Sequence, residues 1–314
     1  MPVDPQVEAF LEQGRGLPQL HEMALADGRA MLAGMNALAG APEAVHEITD
    51  RTIPGPAGGI PVRVYRPSDA TSLPMLVFIH GGGFTMGDLD SHDSLCRALA
   101  NASGCVLVAV DYRLAPEHPF PAGIDDAYAA ATWVHEHADD LGGDAIRIAI
   151  GGDSGGATFA TTVCAMARDQ GGPPLAFQFL INPGGMDYDY GRASVTENGA
   201  GYFITVDDLH WIEGQYFASP GDKERDWRAQ PGLAPDVSGL PPAIVLTAEY
   251  DPVRDQGRAY VDRLQAAGVT VEHHEYPGVI HGWVNMLGVI DAGQKALDDL
   301  AGALRVALSA TAPP

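Results

Sequence analysis

From about residue 74 the chain is punctuated by short runs that are apolar almost throughout: MLVFIH (75–80), CVLVAVDY (105–112), IRIAIGG (146–152), LAFQFLINP (175–183) and AIVLTAEY (243–250). A strand with water on one face alternates apolar and polar residues, whereas runs like these belong to strands buried on both faces. Helix-like segments separate them, over 91–103, 124–141, 155–171 and 254–268, and a last strand (269–277) precedes a closing helix at about 290–308. Strand and helix in alternation predict an α/β fold, with a parallel sheet covered by helices on both sides. Two earlier strand-like runs, VHEITDRTI and IPVRVYRP, flank a Pro/Gly-rich turn at 54–59.

Two stretches stand outside the alternation. Residues 1–45 carry apolar residues at helical spacing and end on Gly40-Ala41-Pro42, a helix stop. Residues 186–235 hold aromatics and a helix-like TVDDLHWIEGQYFA between Gly/Pro-rich flanks, too much chain for a plain connection and of the kind that forms lids. The expected organisation is N-terminal cap helices (1–45), a first core segment (46–185), a cap insertion (186–235) and a second core segment (236–314). No internal repeat is visible, and only the closing SATAPP is of low complexity.

Composition removes several function classes. The net charge is −23 and the only lysines are Lys223 and Lys295, a surface that repels phosphate backbones and anionic lipid, so neither nucleic acid nor a membrane is an expected partner. Cys96, Cys105 and Cys164 make an odd count within apolar stretches, which argues for buried free thiols and a reducing compartment. The opening MPVDPQVEAF lacks a basic flank followed by an apolar run, no stretch approaches the length of a membrane span, and the expected location is the cytoplasm.

The strand ending IAIGG runs into Gly152-Asp153-Ser154-Gly155-Gly156, and a helix follows at once. This is G-x-S-x-G in its proper setting of strand, sharp turn and helix: the turn exposes the hydroxyl, glycines two residues to either side avoid collisions, and the helix N-terminus favours developing negative charge. GDSGG also occurs around the nucleophile of trypsin-like proteases, but those are all-β, disulfide-bonded chains whose histidine precedes the serine. After the strand MLVFI comes His80-Gly81-Gly82-Gly83-Phe84. Acyl transfer passes through an oxyanion, and a run of glycines lets backbone N–H groups approach it. Gly82, Gly83 and Gly155 are the candidate donors, and His80 reads as a brace. Neither G-x-x-x-x-G-K-[ST] nor G-x-G-x-x-G is present, so a nucleotide is not expected.

A serine hydroxyl needs a base, and with this kind of nucleophile turn the chain order is serine, acid, histidine, each after a strand. Asp251 follows AIVLTAEY, and His281 follows the last strand in Gly278-Val279-Ile280-His281-Gly282-Trp283. Asp255, one helical turn on, reads as a cap or ion-pair partner. His273 and His274 point to opposite faces of a strand, and His135 and His137 do not share a helix face, so no metal site is expected. His92, His118 and His210 have no spacing in their favour.

HGGGFTMGDLDSHD (80–93), DYRLAPEHPFPA (111–122), GDSGG (152–156), EYDPVRDQG (249–257) and HGW (281–283) occur in an order that resembles the hormone-sensitive-lipase-like α/β-hydrolases, the bacterial family IV esterases. The resemblance spans nearly the whole chain from about residue 45. It implies an eight-stranded, mostly parallel sheet with a helical cap, and hydrolysis of short-to-medium acyl esters by Ser154, Asp251 and His281 with no cofactor. It also implies oxyanion donors on Gly82, Gly83 and Gly155, a small-molecule ester as partner, and a homodimer as an open possibility. Asp111, Tyr112 and Arg113 read as supports near the site, and Phe84, Met186, Phe203, Trp211 and Trp283 are candidate pocket lining. The chain departs from the family in having Gly155 where alanine is usual and Asn182-Pro183-Gly184-Gly185 where Tyr-Pro is commoner, a change expected to reshape the pocket floor. An amide or lactone hydrolase on the same triad remains an alternative, as does a non-catalytic ligand-binding member of the fold.

Overall fold

A computed structural model describes residues 1–219 and 221–309, so the closing SATAPP lies outside the described residues except for Ser309. Eight strands form one sheet: β1 (Glu47–Gly55), β2 (Gly58–Arg66), β3 (Leu73–Ile79), β4 (Val106–Val110), β5 (Gly143–Asp153), β6 (Leu175–Ile181), β7 (Ala243–Tyr250) and β8 (Val271–Ile280). Their order is β1-β2-β4-β3-β5-β6-β7-β8. The β1–β2 hairpin and the β2–β4 pair are antiparallel, and every pairing from β4 to β8 is parallel. The helices are α1 (Pro5–Gln13), α2 (Leu25–Met35), α3 (Asp93–Ser103), α4 (Ala122–Glu136), α5 (Gly155–Gln170), α6 (Ala193–Asn198), α7 (Val206–Tyr216), α8 (Asp222–Arg225), α9 (Arg254–Ala266) and α10 (Asp291–Ala307).

Successive side chains of a strand point to opposite faces, and the apolar runs divide accordingly. Met75, Val77 and Ile79 of β3, with Val106, Val108 and Val110 of β4, enter the core under α4, α5 and α9. Leu76 and Phe78, with Leu107 and Ala109, enter the core under α3 and α10. Because β3 to β8 run parallel, the turns after β3, β5, β7 and β8 all open on one edge of the sheet. HGGG, the nucleophile turn, Asp251 and His281 stand on those four turns.

The N-terminal helices and the 186–235 stretch meet over the same edge. The side chain of Asp208, in the first turn of α7, caps that helix through Thr205 and accepts from the backbone N–H of His21 at 2.9 Å and its Nδ1 at 2.8 Å. Arg29 of α2 donates to the carbonyls of Thr85 (2.8 Å) and Ala115 (3.2 Å) and pairs with Glu117, which ties α2 to the loop after β3. Ile212 of α7 rests on Gly83, where an added Cβ would come within 2.7 Å of its Cδ1.

Cys96, Cys105 and Cys164 are free and buried. Burial pushes all three thiols up, Cys105 to about 11, so they carry little thiolate at neutral pH. A thiol-reactive chromophore such as DTNB is expected to label none of them in the native protein within minutes and all of them in denaturant; fast native labelling would contradict this packing.

Candidate active site

Ser154 stands between β5 and α5 with φ 53° and ψ −123°, a conformation that L-residues adopt only when their surroundings hold them there. The surroundings are the end of β3. A Cβ on Gly152 would come within 1.8 Å of the Ile79 carbonyl oxygen, and one on Gly156 within 2.0 Å of the same atom. Glycine is therefore required two residues to either side of the serine for a steric reason. At Gly155 an added Cβ would lie 2.7 Å from Cε1 of Phe84; lacking a side chain there, the chain lets the Phe84 ring close onto the nucleophile turn.

The imidazole of His281 lies between the hydroxyl and the acid. Nε2 is 2.9 Å from Ser154 Oγ, and Nδ1 is 2.7 Å from Asp251 Oδ2. A carboxylate only accepts, so Nδ1 carries the proton and Nε2 presents its lone pair to the hydroxyl. Asp251 is fully buried, and its other oxygen accepts from the N–H of Val253 at 2.9 Å. Burial of His281 works to lower its pKa, but the charge and hydrogen bond of Asp251, with the charge of Asp153, outweigh it and hold the ring above the ordinary 6.5. Asp255 pairs with Arg254 and Arg258 and accepts from the N–H of Ser194, away from this relay.

The glycines after β3 adjoin the Ser154 turn through Gly81, which meets Asp153. Gly82 and Gly83 have φ of 115° and 60°, and a Cβ on Gly82 would come within 2.3 Å of the Met86 carbonyl oxygen. Gly155 is the first residue of α5, so its N–H has no acceptor within the helix. Among the described residues the N–H groups of Gly82 and Gly83 likewise have no protein acceptor. His80 braces the loop from within: its ring stacks on Tyr112 at 4.3 Å, its Nδ1 donates to the Gly81 carbonyl at 2.8 Å, and burial lowers its pKa to about 4. Tyr112 donates to the His80 carbonyl at 2.9 Å, and Arg113 forks onto Asp126 with two 2.8 Å contacts. Burial, then Asp88 and Asp90, push Asp111 up to about 6.

Two features of the site have no local signal in the sequence. Asp153, next to Ser154, is a buried carboxylate that accepts from the Gly81 N–H (2.8 Å) and from Asn285 Nδ2 (3.0 Å) and faces His92 Nε2 at 3.3 Å. Burial opposes its charge, but His92, Asn285 and Gly81 together hold it at about 2. It thus pins the glycine loop to the nucleophile turn. The second is Asn182, whose Nδ2 lies 2.6 Å from Asp251 Oδ2. Its sequence neighbours suggested only pocket shape, and no local signal marks either contact.

The expected pocket residues fall into three groups. Phe84 stacks on Tyr216 (4.1 Å) and Phe159 (5.0 Å), and Met186 is buried against Thr158, four residues beyond Ser154. Trp211 is half-buried on α7, and Phe203 is half-buried against Phe10 of α1 at 5.7 Å. Trp283 corrects the expectation. Gly282, at φ 77°, turns the chain after His281 and sends the indole into the core under α10, fully buried, 5.1 Å from Tyr276 and donating to the Ala292 carbonyl. It lines no pocket. Among the described residues no group of His, Cys, Asp and Glu side chains is disposed to hold a metal, and no helix is long and apolar enough to cross a membrane.

A G-x-S-x-G turn after a central strand of such a sheet, with a glycine loop and a histidine from the last strand beside it, defines a class. Residues 76–285 match the family described as alpha/beta hydrolase fold, and the chain belongs to that family, on its hormone-sensitive-lipase-like branch of carboxylic ester hydrolases. Carboxylesterase NlhH of Mycobacterium tuberculosis is 46% identical over 80% of this chain and 79% of its own length. Ethyl acetate hydrolase of Pseudomonas putida is 38% identical over 93% and 92%. Among solved structures, the hyperthermophilic esterase of the archaeon Pyrobaculum calidifontis superposes with a TM-score of 0.93 at 40% identity, over 98% of this chain and 100% of that one.

Asp153→Asn keeps the side-chain volume but removes the charge facing His92 and turns one acceptor oxygen into a donor. A loosened glycine loop next to Ser154 is expected to cost kcat more than KM, with kcat on p-nitrophenyl acetate falling about 10- to 100-fold. A change below about twofold would show that the glycine loop keeps its place without this anchor.

Proposed function

We propose that the protein hydrolyses short-to-medium acyl esters through an acyl-enzyme on Ser154. The observation that carries this reading is the unbroken relay from Asp251 Oδ2 to His281 Nδ1 (2.7 Å) and from His281 Nε2 to Ser154 Oγ (2.9 Å). His281 takes the hydroxyl proton as Oγ attacks the ester carbonyl, and Asp251 holds the tautomer and stabilises the imidazolium. The carbonyl oxygen, now negative, is received by the N–H groups of Gly82, Gly83 and Gly155, whose preorganised dipoles need no reorientation. His281 then returns the proton to the departing alcohol. Water, deprotonated by the same nitrogen, attacks the acyl-enzyme and releases the acid and the free serine.

The acyl group is proposed to lie against Phe84 and Met186, beneath α7, with the N-terminal helices and residues 186–235 acting as a cap. Apolar walls of this kind, with few polar groups at the reacting end, suit small apolar acyl chains. Relatives named acetyl esterase and ethyl acetate hydrolase agree with short acyl groups. Three buried free thiols suit a reducing compartment, and we place the protein in the cytoplasm.

On a panel of p-nitrophenyl esters, kcat/KM is expected to be greatest at short chain length and to fall beyond about C8. Ser154→Ala is expected to lose at least about four orders of magnitude, and an organophosphonate should label Ser154 and no other residue. The base works only when neutral, so kcat/KM rises with pH through the His281 pKa. Because Asp251 and Asp153 raise that pKa against burial, the acid limb should lie above pH 6.5. Absence of turnover on every ester, with no phosphonate adduct on Ser154, would end this reading.

A further inference from the structure

Asn182 leaves β6 with φ 46°, in the left-handed region that asparagine tolerates better than most residues. Its backbone N–H donates to the Leu246 carbonyl at 2.8 Å, which continues the pairing of β6 with β7 and aims the side chain at the turn after β7. There Nδ2 lies 2.6 Å from Asp251 Oδ2, the oxygen that also accepts the His281 Nδ1 proton. The residue is buried, and its Oδ1 has no protein partner among the described residues. Only the nitrogen end can face a carboxylate, so the amide takes this orientation even though its oxygen goes unsatisfied.

The remaining surroundings of Asp251 are neutral. Oδ1 accepts from the Val253 N–H, and the nearby Arg254 is directed to the Glu249 carbonyl, Glu197 and Asp255. No arginine or lysine pairs with Asp251 among the described residues. Its charge is therefore moderated by two neutral N–H donors and shared with the imidazole. The charged groups acting on the ring are Asp251, from the turn after β7, and Asp153, from the end of β5, the latter set against His92.

We infer that Asn182 is a positioning residue of the ester hydrolysis, fixing the Asp251 carboxylate through Oδ2 and drawing off part of the charge with which Asp251 makes His281 basic. The inference rests on the Ser154–His281–Asp251 relay proposed above. A donor on a carboxylate stabilises its charge locally and weakens its hold on a second proton-bearing partner. Without the amide, the carboxylate acts more fully on the ring, the imidazolium is favoured, and the base titrates at higher pH. The carboxylate also gains freedom to rotate, which lowers the fraction of enzyme with Nε2 aimed at the hydroxyl.

The test is Asn182→Gly, which deletes the amide and tolerates the positive φ. The pH profile of kcat/KM for p-nitrophenyl butyrate is measured together with an NMR titration of the His281 ring carbon, identified by its loss in His281→Gln. Both midpoints are expected to rise by about 0.5 to 1 pH unit, with kcat about 3- to 10-fold lower and KM within about twofold. A role confined to shaping the turn would move stability or KM and leave both midpoints in place, and unmoved midpoints would overturn the inference. Should the variant fail to fold, the wild-type protein still decides: the Asn182 side-chain amide resonance must shift with the same midpoint as the His281 ring, and a flat amide resonance would overturn the inference. A wild-type protein without esterase turnover would overturn the proposed mechanism and the positioning role in hydrolysis, whereas the two NMR titrations decide separately whether Asn182 is coupled to the Asp251–His281 pair.

Discussion

The carbonyl oxygen of Ile79 is the wall against which the site is built. It ends β3 and would lie within 1.8 Å and 2.0 Å of side chains on Gly152 and Gly156. Any side chain at either place would push the Ser154 turn off the sheet. With both absent, β5 passes into α5 in a single residue, and Ser154 takes the sparsely populated backbone conformation that lifts its hydroxyl clear. The same closeness brings the loop after β3 against this turn, where the Gly81 N–H donates to Asp153, so one packing contact sets both the Ser154 turn and the glycine loop.

Electrostatics complete what packing begins. Two buried carboxylates flank Ser154, Asp153 immediately before it in the chain and Asp251 behind His281. Each would be costly to bury alone. Each is satisfied by neutral donors and a histidine: Gly81, Asn285 and His92 around Asp153, and Val253, Asn182 and His281 around Asp251. The two arrangements are alike in construction and differ in purpose. Around Asp153 the histidine is part of a static brace, whereas around Asp251 the far nitrogen of the ring faces a hydroxyl.

The architecture was largely legible before the structure because its signals are local. Strands buried on both faces must be apolar at every position, so β3, β4 and β7 stand out from their own residues, and AIVLTAEY coincides with β7 from end to end. G-x-S-x-G and HGGG are also local, since each records a collision or approach within a few residues. The positions of Asp251 and His281 could be read as the ends of strands. Trp283 could not be placed in the same way. It stands two residues after His281, but Gly282 turns the chain at a positive φ and the indole is fully buried in the core under α10.

Local sequence therefore suffices for the elements, their alternation and the residue types on each turn, because periodicity and turn sterics act between near neighbours. The tertiary structure alone decided which polar groups meet. Asn182 and Asp251 are 69 positions apart, and Asp153 and Asn285 are 132 apart. Such contacts depend on the register of neighbouring strands and on the direction of single side chains, and no short stretch of sequence carries that information. The closing of Phe84 onto Gly155 belongs with them: a missing methyl is visible in the sequence, but only the packed turn shows which ring takes its place.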